Sequence, residues 1–388
     1  MAVNDLTFNQ LSTVLKEIVE QATGQKAQAI VDTSSFVSVA QTALKTGYDP
    51  LATAVSQVLS RTIFSIRPYS AKFRGLEASP IRWGNHVRKL QLVDIESEND
   101  DRFALVDGQS LDPYVVNKPE ALQTNFYGAN VIQHHTTIFR DQLDNAFSSP
   151  DEFGRFISMQ MQNVTDVLTM ERENTARAAV ANFIGGKSLG DASNVVHLLT
   201  LYNTATGESF TPVTIKKPEN YVPFMRWAYG LIKTLSGLLT ERSLSYHMNI
   251  TDKPIMRHTP LRNQKIYLYT PEMNNIDASV LSTTFHNEFL KIADHEEVNF
   301  WQTLNDPKSV NVTASYMNAS GAIVTGDATV DNIFGVIFDE EAIGYTPVNQ
   351  WSAPSAFNPR GGYTNIFYHE TVRYWNDFTE NGLVLLLD

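Results

Sequence analysis

The residues of this sequence best suited to chemistry are its histidines and the acids beside them. His286, His295 and His369 each have an acidic neighbour, the pairing that a zinc site or an acid–base pair would use. His295-Glu296-Glu297 has Asn299 where an H-E-x-x-H helix needs its second histidine, and His369-Glu370 has Arg373 there. Neither can set two imidazoles one helical turn apart, so these histidines read as ordinary polar residues. His134 and His135 are adjacent in a strand-like stretch and point to opposite faces, which keeps them from sharing one metal. Asp339-Glu340-Glu341 follows an apolar strand; it would suit a cation or an acid pair, and reads first as a solvated turn. No G-x-S-x-G or G-x-x-x-x-G-K-[ST] occurs. Gly185-Gly186-Lys187-Ser188 lacks the upstream glycine of a phosphate loop and reads as the C-cap of a helix. Asp327 and Asp331 lack the glycine and glutamate of an EF-hand. The sequons at Asn163, Asn249, Asn311 and Asn318 matter only on a secretory route. Trp227, Trp301, Trp351 and Trp375 read as core or interface anchors. The residues therefore supply no catalytic, cofactor-binding or metal site, and the expectation is a protein that is not an enzyme.

Composition points the same way. The 388 residues include no cysteine, which removes disulfide scaffolds, thiolate zinc sites and cysteine nucleophiles. Charged side chains make up 19%, below the roughly 25% of soluble domains, and Asn, Gln, Ser and Thr fill the difference. A polar but lightly charged surface desolvates cheaply, as self-association requires. The net charge of -12 opposes a surface that coats nucleic acid. No apolar run reaches the ~20 residues of a membrane span, and Met1-Ala2-Val3-Asn4-Asp5 does not open a signal peptide. On these grounds alone the chain reads as a cytoplasmic α+β protein.

The elements that must hold these residues are unevenly sized. Leu6, Phe8, Leu11, Val14, Leu15, Ile18 and Val19 predict a helix over 6–22 that stops at Gly24, and a second helix is expected from Pro50 to Arg61. The segment between them reads as small and polar. Strands are expected at Thr62–Arg67, Val87–Ile95 and Asn130–Phe139, with a long polar flap between the last two. Ser149, Pro150, Asp151 and Glu152 form a strong helix start. That helix is expected to run to about Phe183, end at Gly185-Gly186, and span about 50 Å at ~1.5 Å per residue. Residues 190–220 read as irregular and 306–332 as turn-rich. A helix is expected over Tyr221–Leu239, a strand over Lys265–Thr270, and a helix opening at Pro271-Glu272-Met273 and continuing over Ile276–Ile292. The last strands are Ile333–Phe338, Tyr363–Glu370 and Gly382–Leu387, the final one too apolar to stand outside a sheet.

This order of arm, long hairpin, long helix, compact α/β unit and closing strands resembles the tailed-bacteriophage major capsid proteins of the HK97-like fold. Arg82–Ile95 and Val131–Phe139 resemble the two arms of that family's extended loop, with the acidic flap as its tip. Ser149–Phe183 resembles the spine helix, residues 190–332 the axial domain, and Gly335–Leu387 the return into the peripheral domain. Phe378-Thr379 and Leu383-Val384 lie near a capsid-like ending. The resemblance implies an α+β chain divided as follows: N-terminal arm 1–61; peripheral strands and extended loop 62–147, the loop about 82–139; spine helix 148–189; axial domain 190–332; and return strands 333–388. It implies copies assembling as hexamers and pentamers into an icosahedral shell around double-stranded DNA, in the virion, after assembly in the host cytoplasm. The loop of one subunit would lie over its neighbour's spine helix, and the N-arm would cross a subunit boundary.

Two family features fit less well. Only a short helix precedes the arm, which favours a separate scaffolding protein over a built-in one; a portal and a decoration protein are further partners the family admits. Some relatives cross-link a loop lysine to an asparagine. Here Lys89 and Lys118 flank the loop, Asn358 and Asn365 lie near the C-terminus, and the tip 95–108 holds no lysine. DNA would be contents without sequence-specific binding, and no membrane or cofactor is implied. A nanocompartment shell or another virion structural protein shares these features. A hydrolytic enzyme using Asp339, Glu340 or Glu341 with a histidine is the alternative from a different class.

Overall fold

A computed structural model describes residues 7–45, 47, 50–51, 53–55, 58, 71–78, 86–94, 104–112, 114, 116, 118–251, 253–279 and 295–388. The expected strand at 62–67, residues 95–103 with the acidic run of the flap, and the stretch 280–292 of the expected helix lie outside them.

The dominant element is a helix of 41 residues, Pro150–Gly190, which at ~1.5 Å per residue is about 60 Å long. It starts as its sequence dictates: the Ser149 hydroxyl accepts from the Glu152 amide, Pro150 occupies the first turn, and Asp151 and Glu152 face the positive helix end. Two hydrophobic cores share it. Its first half places Phe153, Phe156, Ile157 and Val164 against α1 (Phe8–Thr23), α2 (Thr33–Lys45) and α3 (Arg140–Ala146). Its second half buries Ala176, Ala179, Val180, Phe183 and Ile184 in the other core. Numbered in sequence, this helix is α4.

The N-terminal arm thus folds onto its own subunit in its described part. Leu11, Val14, Leu15, Ile18 and Val19 of α1 pack into the core around α4 of the same chain. The segment read as polar contains α2, capped by Asp32, whose carboxylate accepts from the Ser35 amide at 2.8 Å. Its buried face is Phe36, Val39, Ala40 and Ala43, too small a set of large side chains to give a strong helical period.

Among the described residues the strands form three sheets and a hairpin. β1 (Val87–Leu92) pairs antiparallel with β2 (Ala121–Phe126) as a two-stranded ribbon. β3 (Ala129–Phe139) belongs instead to a three-stranded sheet with β11 (Tyr363–Asn376) and β10 (Ile343–Pro354). This corrects the assignment of 131–139 as the second arm of the extended loop. The chain changes sheet at Gly128, where an added Cβ would lie 2.6 Å from the Tyr374 carbonyl oxygen, so only glycine fits the crossing. β2 was hidden because Ala-Leu-Gln-Thr-Asn-Phe carries few large apolar residues.

The five-stranded sheet, buried in its central strands, runs β4 (Val195–His197), β12 (Gly382–Leu386), β9 (Ile333–Asp339), β5 (Gln264–Tyr269), β6 (Glu296–Val298). Its strands alternate between two cores. Val384, Leu386, Val336 and Phe338 face α4, while Leu383, Leu385, Phe334 and Ile337 face α5 (Leu198–Thr206) and α6 (Pro218–Leu238). Burial on both faces is why Gly382–Leu387 is apolar at nearly every position. β4 and α5 correct the irregular reading of 190–220; a three-residue strand that pairs in parallel with β12 has too little local pattern to be seen. α7 (Thr270–Ser279) opens where expected, directly after β5.

The turn-rich reading of 306–332 is also corrected: β7 (Val310–Met317) and β8 (Ile323–Val330) form a hairpin lying on the end of α4. That hairpin explains why the helix does not stop at Gly185-Gly186. A Cβ at Gly185 would lie 2.8 Å from Val312 Cγ1, and one at Gly186 2.5 Å from Phe378 Cζ. The glycines admit close neighbours inside a helix that continues to Gly190 and is capped at Asp191. Lys187 sits on the same turn, wholly buried, donating to Asp191 at 2.7 Å.

The three-stranded sheet is tied to α4 by a buried ion pair. Arg172 donates to Glu370 on β11 at 3.0 Å from Nε and 2.5 Å from Nη2, and the Gln350 amide donates to the same carboxylate. Burial works against the guanidinium charge, but Glu370 outweighs it and raises the Arg172 pKa.

Three stability outcomes follow. Gly186→Ala is expected to lower stability by about 1–2 kcal/mol despite its better helix propensity, because overpacking costs about 1–3 kcal/mol. Gly230→Ala on α6, where an added Cβ meets nothing within 4 Å, is expected to gain about 0.5–1 kcal/mol. Arg172→Met is expected to cost about 3–5 kcal/mol by stranding Glu370, with Arg172→Met/Glu370→Met costing clearly less than the single change. Urea midpoints of the unassembled subunit measure all four.

Candidate assembly surfaces and the ionic seat of the hairpin

The residues singled out for chemistry do not converge. His369 stacks on Trp351 at 3.9 Å on the open face of the three-stranded sheet, while His295 stands at the start of the short edge strand β6. His134 and His135 alternate across β3, as their adjacency requires; the His135 ring packs at a tilt against Phe367, and burial with the nearby His135 charge lowers the His134 pKa. His286 lies outside the described residues. Asp339 is buried and accepts from Thr259 Oγ1 at 2.8 Å and from the Glu341 amide, so it braces the β9–β10 turn. Trp301 is buried and donates to the Ile333 carbonyl, and Trp375 donates to the Glu341 carbonyl. Among the described residues no three histidine or acidic side chains gather as a metal site, and no helix is long and apolar enough to cross a membrane.

What the chain does build is a polar seat for the β1–β2 ribbon. Lys89 Nζ on β1 lies 2.9 Å from Asp377, 2.5 Å from Glu380 and 3.0 Å from Glu341. Arg257 donates to Gln91 on β1 at 2.5 Å and to the Thr379 carbonyl at 3.0 Å, and stands 3.2 Å from Glu380. Burial opposes the charge on Lys89, but Asp377 and Glu380 outweigh it and hold its pKa above the usual lysine value. Burial raises the Glu380 pKa, with Lys89 and Arg257 pulling the other way. Asp94, just beyond β1, accepts from the Met256 amide at 2.6 Å and pairs with Arg242. Glu120, just before β2, pairs with Lys253 at 2.9 Å.

These partners were missed in the sequence because they lie up to 291 positions apart. The Lys89 ammonium is engaged by three carboxylates. Asn358 accepts from the Arg360 and Gly361 amides in a turn, and Asn365 accepts from Thr137. Lys118 is exposed.

Beside this seat, His247 is buried with Nε2 2.8 Å from the Ile255 carbonyl oxygen and Nδ1 2.9 Å from that of Ser245. Burial lowers its pKa below 6.5; the two carbonyls oppose this, and the charges of Arg257 and Lys187 reinforce it. The folded state therefore binds fewer protons here than the unfolded state. The stability held above pH 6.5 is lost as pH falls from 6.5 through the folded value. Comparing urea midpoints at about pH 7.5 and about pH 5.5 for wild type and His247→Gln should show a smaller acid loss in the variant.

The outward face of the ribbon is different. Arg88, Leu90, Leu92, Gln123 and Asn125 point away from the body, with Leu90 61% and Leu92 70% exposed. Leu90 and Leu92 are thus exposed apolar side chains among polar neighbours on this face.

Comparison with known proteins places this arrangement. A chain in the capsid structure of Staphylococcus phage Andhra is similar over 84% of this chain and 87% of its own, with 10% identity and a TM-score of 0.53. A chain in a structure of the head fiber and inner core protein of native bacteriophage P68 is similar over the same shares, with 12% identity and a TM-score of 0.55. At such identities the likeness is one of fold. No curated protein matches the sequence. The family model of the Phi29-like phage major capsid protein, however, matches residues 11–386. With nearly its whole length matched by that model, and with an HK97-like fold shared with phage capsid structures, the chain belongs to the Phi29-like phage major capsid proteins, which form the icosahedral shell of the virion.

Proposed function

We propose that copies of this subunit assemble as hexamers and pentamers, with the β1–β2 ribbon and the loop it carries lying over the spine helix of a neighbouring copy. The observation that carries this reading is the ribbon's two-sided character: an inward face held by ion pairs and an outward face exposing Leu90 and Leu92. In this division α4 and the three-stranded sheet form the peripheral domain, and the five-stranded sheet with α5–α7 forms the axial domain. The shell encloses double-stranded DNA as contents. A net charge of -12 suits an inner wall that does not hold the DNA during packaging. A separate scaffolding protein and a portal complete the assembly, a decoration protein can cement it, and assembly takes place in the host cytoplasm. The reading gives the subunit no catalytic, cofactor or metal role.

Negative-stain microscopy of the expressed protein, alone and with a scaffolding protein, is expected to show closed shells. Monodisperse monomers under every condition would count against the reading. Deleting residues 96–117 is expected to leave the circular dichroism and melting of the subunit unchanged and to abolish shells; assembly at the wild-type level would refute the role given to the loop.

A further inference from the structure

The inward face of the ribbon carries a row of polar clamps: Lys89, Gln91, then Asp94 and Glu120. They are unequal. Arg242–Asp94 and Lys253–Glu120 are substantially exposed, so water and salt weaken them. Lys89 is different, with its side chain 17% exposed and carboxylates drawn from two separate turns, Glu341 between β9 and β10, and Asp377 and Glu380 between β11 and β12. Those turns belong to strands of both the three-stranded and the five-stranded sheets. The ammonium therefore fixes the ribbon to the junction of the two sheets rather than to either alone. Charge-assisted hydrogen bonds are directional, so in such a place they resist sliding more than an apolar contact would.

The position of this clamp has leverage. β1 and β2 have six residues each, about 20 Å at ~3.3 Å per residue, so a tilt of about 10° in the ribbon would move its far end by about 3.5 Å. We propose that Lys89 is a positioning residue that sets the angle at which the ribbon presents its loop, and thereby the uniformity of curvature in the assembled shell. This rests on the shell reading above, in which the ribbon contacts a neighbour.

The absence of native cysteine makes a direct test clean. Spin labels at Asn125→Cys, on the outward face of β2, and Glu241→Cys, on the body, report the ribbon's angle as a distance distribution in the unassembled subunit. Wild type and Lys89→Arg are expected to give one narrow distribution, as is Lys253→Met, which breaks only an exposed clamp. Lys89→Met is expected to widen it at least twofold and to yield open sheets or shells of mixed diameter. A narrow distribution in Lys89→Met overturns the proposal, as do uniform shells from a subunit whose distribution has widened. If Lys89→Met does not fold, Glu341→Gln takes its place; its side chain is 64% exposed, so the fold tolerates the change. A smaller but measurable widening is then expected, and none overturns the proposal. Failure of the wild type to form shells would instead remove the underlying reading, while the distances would still judge Lys89.

Discussion

A helix of about 60 Å cannot be buried by one small core, and the fold is organised around meeting that constraint. α4 is covered in its first half by the N-terminal helices and in its second by the five-stranded sheet and the β7–β8 hairpin. β11 runs the same course: Ile366 and Tyr368 pack into the first core and Val372 into the second. Helix and strand together act as paired beams, joined midway by Arg172 and Glu370. Each core is incomplete without them, so the two halves of the subunit are held in a fixed relation, as a shell built from many copies requires.

Charge is used sparingly and at seams. With 19% charged residues, the chain can spend few on its interior, yet several of its buried ions lie where separate elements meet. Lys89 joins the ribbon to the body, Arg172 joins helix to sheet, and Lys308 pairs with the buried Glu272 of α7. Arg177 is held by Glu173 and stacks over the rings of Phe73 and Phe300, binding two chain segments to the helix. Each pair costs desolvation, so its use is directional: it selects one relative placement of two elements among several that hydrophobic contact would allow. The lightly charged exterior is left free for contact with other copies.

Close approach supplies the remaining precision. At Gly185 and Gly186 the β7–β8 hairpin and Phe378 come nearer to the helix axis than any side chain would permit. Phe183 stacks on Phe378 at 5.4 Å beside them. A pair of residues that costs helix propensity is retained in mid-helix because the packing it admits is worth more.

The sequence by itself determined what depends on neighbours along the chain. The start of α4 was written in Ser149 to Glu152, the end of α1 in Gly24, and the doubly buried strand in Gly382–Leu387; the lack of any motif with catalytic spacing was equally plain. The order of these elements was enough to suggest the family. Only the tertiary structure decided which strands pair, since β1 and β3 alternate alike and Gly128 alone marks the change of sheet. It decided too that Gly185 and Gly186 admit a hairpin instead of ending a helix, that α1 and α2 cover their own spine, and that Lys89 meets Asp377 and Glu380. Helix starts and strand burial arise from local geometry and composition, which a sequence displays. Pairing, close approach and ion pairing join residues tens to hundreds of positions apart, and their energies exist only once the chain has brought those residues together.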